Sequence, residues 1–166
     1  MAQRIWDLSP YKGVITALAE ARENQKGGFE STRNWADGST HFLGLTGELT
    51  VSLESGVPMD TDLLIKGDGG TDFLIDGQRC DVKTSTYWED PHLRLPPDAE
   101  RRADIYILVA VNENLQSRIC GWATAGEIDK AELVDYGRGA IHSIREIELL
   151  ERKQCGLPPF FPRRLE

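Results

Sequence analysis

The stretch Gly70-Thr71-Asp72-Phe73-Leu74-Ile75-Asp76-Gly77-Gln78-Arg79-Cys80-Asp81-Val82-Lys83 reads as a tight β-hairpin. Asp76-Gly77, set between strand-like runs, is a two-residue turn signal, because a type I′ turn needs positive φ at both central positions. A turn there places Ile75 opposite Gln78. Counting outward places Leu74 opposite Arg79, Phe73 opposite Cys80 and Asp72 opposite Asp81. Side chains alternate between the two faces of a strand. Phe73, Ile75, Gln78, Cys80 and Val82 therefore share a mostly apolar face that should meet the core. Asp72, Leu74, Arg79, Asp81 and Lys83 share the other face, which collects the charge.

Opposed carboxylates destabilise a bare hairpin. One compensation is a solvated edge on which Lys83 and Arg79 neutralise the aspartates. The other is a bound cation. Two carboxylates and a lysine on one face form a set suited to holding a divalent metal beside a phosphate.

The chain of 166 residues suits one domain spanning 1–166, and its 40% hydrophobic content suffices for a core. The net charge of -8 argues against a general nucleic-acid coating protein, which should be basic. It leaves room for an enzyme whose acidic cluster is discharged by metal, with substrate affinity that is weak and salt-sensitive or supplied by a partner. The three cysteines, Cys80, Cys120 and Cys155, make no CxxC pair and no zinc spacing, so they read as buried or free thiols in a reducing compartment. The longest apolar run, Ile105 to Val111, is too short to span a bilayer, and nothing resembles a signal peptide. A soluble, cytoplasmic protein is expected, without membrane contact.

Along the chain, Ser9-Pro10 reads as an N-cap followed by proline at the first helical position, with Val14, Ile15, Leu18 and Ala21 at helical spacing and Gly27-Gly28 as the stop. Phe29 to Thr40 reads as loop or broken helix. A second helix is expected from about His41 to Glu54, with Phe42, Leu45, Leu49 and Leu53 as its stripe. Gly44 and Gly47 each cost on the order of 1 kcal/mol in a helix interior, which implies close approach of another backbone. Glu48 projects from the flank of the stripe. Gly56-Val57-Pro58 ends the helix, Asp62 to Lys66 reads as a short strand, and Gly67-Asp68-Gly69-Gly70 as a turn. Thr84 to Tyr87 extends the second hairpin strand. Glu89 to Arg102, with three prolines, reads as loop. Ile105 to Val111 is a strand buried on both faces, Ser117 to Ala123 another strand, and Thr124-x-x-Glu127 a capping box. Ile141 to Lys153 reads equally as strand or helix.

In order, a helix bears Glu48, one strand bears Asp72, the next bears Asp81-Val82-Lys83, and a buried strand follows. This arrangement resembles the PD-(D/E)xK, restriction-endonuclease-like nuclease superfamily, in particular its small phage and bacterial members. The matching segments are Gly44-Leu45-Thr46-Gly47-Glu48, Gly69-Gly70-Thr71-Asp72-Phe73, Asp81-Val82-Lys83-Thr84, Ala103-Asp104-Ile105-Tyr106 and Gly121-Trp122-Ala123-Thr124. Thr71 stands where the family motif has proline. The resemblance implies an α/β fold with a central mixed β-sheet flanked by helices, and a Mg²⁺-dependent nuclease (Mn²⁺ being an alternative) that hydrolyses phosphodiester bonds in DNA. It further implies Glu48, Asp72, Asp81 and Lys83 as catalytic residues. Glu48, Asp72, Asp81 and the Val82 backbone carbonyl would be the metal's ligands, with Lys83 orienting water or neutralising developing charge.

Two alternatives remain open at this level. One is a catalytically silent relative that acts as an acidic protein-interaction module. The other is a structure-specific junction resolvase, which needs a homodimer. His41, His92 and His142 are isolated and read as surface or packing residues, and Ser85 and Thr86 lack a histidine partner. Tyr87, Trp88, Arg94, Arg101 and Arg102 surround the proline-rich loop. They either contact DNA by stacking and phosphate pairing or form an ordinary amphipathic loop.

Overall fold

A computed structural model describes residues 3–25, 40–60 and 71–163. The strands are β1 (Trp6–Asp7), β2 (Phe73–Ile75), β3 (Gln78–Ser85), β4 (His92–Leu95), β5 (Ile105–Val111), β6 (Gln116–Thr124), β7 (Leu133–Asp135) and β8 (Ala140–Arg145). The helices are α1 (Lys12–Gln25), α2 (Thr40–Ser55), α3 (Ala125–Asp129) and α4 (Glu146–Glu151), with a short 3₁₀ turn over Ser9–Tyr11 before α1. The class is mixed α/β. The expected glycine stop at Gly27-Gly28, the strand over 62–66, the turn over 67–70 and all but the last residue of the loop over 29–40 lie outside the described residues.

β2 and β3 pair antiparallel with Phe73 opposite Cys80, Leu74 opposite Arg79 and Ile75 opposite Gln78, the register counted from the turn. Asp76 and Gly77 have φ of 49° and 75°, as a type I′ turn demands. β3 then runs parallel to β5, which pairs antiparallel with β6, and β1 closes the far edge in the order β1-β6-β5-β3-β2. With strands on both sides and layers on both faces, every residue of β5 is buried.

β5 divides two cores. Tyr106, Leu108 and Ala110 meet Leu93, Leu95, Ile128, Ile144 and Leu149 on one face. Ile105, Ile107 and Val109 meet Val51, Phe73, Cys80, Val82 and Phe161 on the other. A third cluster joins α1 to α2 through Ile15, Ala19, Phe42 and Leu45.

Several expectations are corrected. The central sheet is accompanied by a second, three-stranded sheet in the order β4-β8-β7. β4 runs through the segment read as loop, because His92-Leu93-Arg94-Leu95 alternates and buries both leucines. The ambiguous tail is both things in succession, strand β8 and then helix α4. The second hairpin strand stops at Ser85, short of Tyr87. Ser9 is not an N-cap: it sits inside the 3₁₀ turn and donates from N and Oγ to Asp7 Oδ1 at 3.0 and 2.6 Å. The buried face of α1 runs through Ile15 and Ala19, leaving Val14 exposed. The Thr124–Glu127 capping box forms as expected. Among the described residues no helix is long and apolar enough to cross a membrane.

Candidate active site

α2 delivers Glu48, and its glycines decide how. A Cβ on Gly47 would collide with Thr84 Oγ1 and press on Val82 Cγ1 at 3.1 Å, so this turn of α2 lies directly on β3. What approaches Gly47 is side chain rather than backbone, and Gly44 has nothing within 4 Å. The close contact buries Glu48 to 8% exposure, so it is not an ordinary solvated glutamate. Its Oε1 lies 3.5 Å from Arg22 Nη1 on α1.

The hairpin delivers the aspartates. Asp72 lies just before β2; its N–H donates to Cys80 O at 2.9 Å and its Oδ2 accepts from Val82 N–H at 2.7 Å. The N–H and C=O of one strand residue point to the same edge. The Val82 carbonyl therefore faces the edge that Asp72 occupies. Asp81 Oδ2 receives Lys83 Nζ at 2.6 Å, and that ammonium stands 6.0 Å from the centre of the Tyr106 ring. Burial first, then the charges of Glu48 and Asp81, push the Asp72 carboxyl up to about 9, against the opposing Val82 N–H; a hydrogen bond with Asp81 adds to the rise.

The structure thus brings Asp72, Asp81, Val82 and Lys83 together, with Glu48 near enough for its charge to act on Asp72. It does not bring Arg79. That side chain grips Asp104 from Nε and Nη2 at 3.2 and 3.0 Å, and these hydrogen bonds hold the Asp104 carboxyl below its ordinary value. Of the two cations on the charged hairpin face, only Lys83 serves the aspartates. Arg22, which also donates to Asp60 O at 3.3 Å, is the cation that sequence reading passes over. Nothing in the α1 pattern marks it, because its partner lies on another helix.

Among the described residues no three His, Cys, Asp or Glu side chains converge as a ready-made metal cage. Mg²⁺ does not need one, since it commonly takes one or two carboxylates and keeps several waters. The donor set of Asp72, Asp81 and the Val82 carbonyl fits that requirement, with Glu48 as a fourth oxygen source.

No protein-family model, curated protein or solved structure matches this chain.

Two of the histidines are tied into the second sheet. His92 is not isolated: Nε2 lies 3.0 Å from Asp90 Oδ2 and Nδ1 lies 3.0 Å from Ser143 Oγ. His142 is a packing residue, buried with Nδ1 3.0 Å from Ala131 O.

Proposed function

We propose that this protein is a metal-dependent nuclease with a restriction-endonuclease-like fold, hydrolysing phosphodiester bonds in DNA. The observation that carries the reading is the position of Asp72 beside Asp81 and within reach of the Glu48 charge, where burial and these two carboxylates push its carboxyl up to about 9. A fold tolerates like charges in a half-buried place when a cation relieves them. The order of helix, antiparallel hairpin, parallel buried strand and antiparallel strand supports the same reading.

Asp72 and Asp81 would hold Mg²⁺ with the Val82 carbonyl, and Glu48 would join directly or through water. When bound, the ion polarises a phosphoryl oxygen and lowers the pKa of its water. Lys83, steered by Asp81, places a positive charge beside the reacting phosphate, where it orients the attacking water and stabilises developing negative charge. Arg22 Nη1, 3.5 Å from Glu48 Oε1, would hold Glu48 from the other side.

A second reading has its own support. Lys83 on Asp81 and Arg22 on Glu48 leave no preformed three-residue cage among the described residues, as in a silent acidic interaction module. Plasmid, linear and branched DNA incubated with Mg²⁺, Mn²⁺ or EDTA separates the two. The nuclease reading expects cleavage with either metal, none in EDTA, loss of cleavage in Asp81→Ala, and a fall of roughly a hundredfold or more in Lys83→Ala. Cleavage that survives both EDTA and Asp81→Ala would sink the mechanism. No cleavage together with no calorimetric Mg²⁺ binding would favour the interaction module.

A further inference from the structure

Arg94 of the three-stranded sheet, Tyr87 between β3 and β4 and Tyr136 just after β7 form an aromatic and cationic cluster that the carboxylate site does not use. Arg94 on β4 places its guanidinium carbon 4.2 Å from the centre of the Tyr136 ring and 5.4 Å from that of Tyr87. Its buried Nε has no hydrogen-bond partner among the described residues, so ring faces hold this end of the side chain. Tyr87 and Tyr136 are nonetheless exposed, at 62% and 50%. Each ring gives one face to Arg94 and turns much of the remainder to solvent. Tyr136 is also fixed in place: its hydroxyl lies 3.2 Å from His92 Nδ1 and 3.3 Å from Ser143 Oγ.

One ring of the cluster is tied by the chain to the neighbourhood of Lys83. Tyr87 follows Lys83 by four residues, so even a fully extended chain separates their Cα atoms by no more than about 14 Å. That is the reach of a few nucleotides.

We propose that Tyr87, Arg94 and Tyr136 form a stacking platform for unpaired nucleobases beside the scissile phosphate. The proposal rests on the nuclease reading and narrows its substrate to nucleic acid with a single-stranded segment. Every base has a planar face able to cover an exposed tyrosine. In a duplex those faces are taken by neighbouring bases, so frayed, flapped or single-stranded nucleotides are the ones that fit. The arginine backing adds a cation–π component and keeps the rings preorganised.

Charge does not supply the affinity. The net charge of -8 weakens the phosphate contribution that dominates ordinary DNA binding. Arg79, Arg101, Arg102 and Arg118 are engaged with Asp104, Asp129, Glu100 and Glu146. Aromatic contact is the source of affinity that does not require a basic surface.

The test measures anisotropy of a dye-labelled short oligothymidylate in EDTA, against a blunt duplex and an abasic strand of equal length. The platform predicts that the oligothymidylate binds most tightly. Tyr87→Ala should weaken it roughly tenfold or more, while Tyr87→Phe should not. Tyr136→Ala, checked for folding by circular dichroism, should act in the same direction. Equal binding of the abasic strand, no binding of single strands, or a Tyr87→Ala variant that binds like the parent would overturn the proposal. Binding in EDTA requires no chemistry, so the two readings fail separately. A protein that stacks oligonucleotides but cuts nothing loses the nuclease reading and keeps the platform. One that cuts DNA with Mg²⁺ and ignores Tyr87→Ala keeps the nuclease reading and loses the platform.

Discussion

At Asp72 burial and two neighbouring carboxylates oppose ionisation, while the Val82 N–H favours it. Opposition wins, and the carboxyl rises from an ordinary value near 3.8 to about 9. The folded protein therefore binds more protons than the unfolded chain between those values. Without metal its stability should decline as pH rises across that window. Asp72→Asn keeps an acceptor for Val82 N–H and removes the charge. In EDTA at pH 8 the variant should melt about 2–4 °C or more above the parent, with the gap closing toward pH 4. Added Mg²⁺ should raise the parent's melting temperature and leave the variant's unchanged, because only the parent gains a ligand in its folded state. Scanning calorimetry at two pH values, with and without Mg²⁺, reads all of this. A parent that melts higher than Asp72→Asn in EDTA at pH 8 would contradict it.

Among the elements, the contact of α2 with β3 sets the separation of Glu48 from the aspartates. Two glycines in the same helix make opposite predictions. Gly47→Ala must force apart Thr84, Val82 and the helix, and should cost about 1–3 kcal/mol in a denaturant titration. It should also weaken Mg²⁺ binding by displacing Glu48. Gly44→Ala meets nothing and should gain about 0.5–1 kcal/mol from helix propensity alone. Equal effects at the two positions would show that α2 does not pack on β3 in this way. The hairpin is a simpler case: turn residues that accept positive φ set its register, so it is legible without knowing what it packs against.

Across the whole molecule, β5 separates two apolar cores, and each fully buried Ile, Leu or Val there contributes on the order of 1.5–3 kcal/mol. Two of the three cysteines belong to these cores. Burial pushes the Cys80 and Cys120 thiols up to about 12, which leaves almost no thiolate at neutral pH, whereas Cys155 is exposed. Native protein treated with a thiol reagent at pH 8 should therefore label at Cys155 alone, and denatured protein at all three. Rapid labelling of Cys80 in the native state, read by peptide mass mapping, would mean that the hairpin does not close the core as described.

Short-range chemistry made part of this protein readable from sequence. Asp76-Gly77 determines the hairpin turn, alternation from that turn separates Phe73, Cys80 and Val82 from Asp81 and Lys83, and the unbroken apolar run of Ile105 to Val111 announces a strand covered on both faces. Thr124 and Glu127 announce a helix start. These signals lie within a few residues of what they specify. The remainder depends on partners distant in the chain. Arg22 reaches Glu48 only because α1 packs on α2, and Arg79 leaves the aspartates only because the start of β5 lies beside it and offers Asp104. The three-stranded sheet forms because short strands with weak local patterns find one another. Burial of Glu48 and the unfavourable ionisation of Asp72 belong to this second kind: desolvation and Coulomb repulsion depend on what surrounds a group in space, which only the tertiary structure decides.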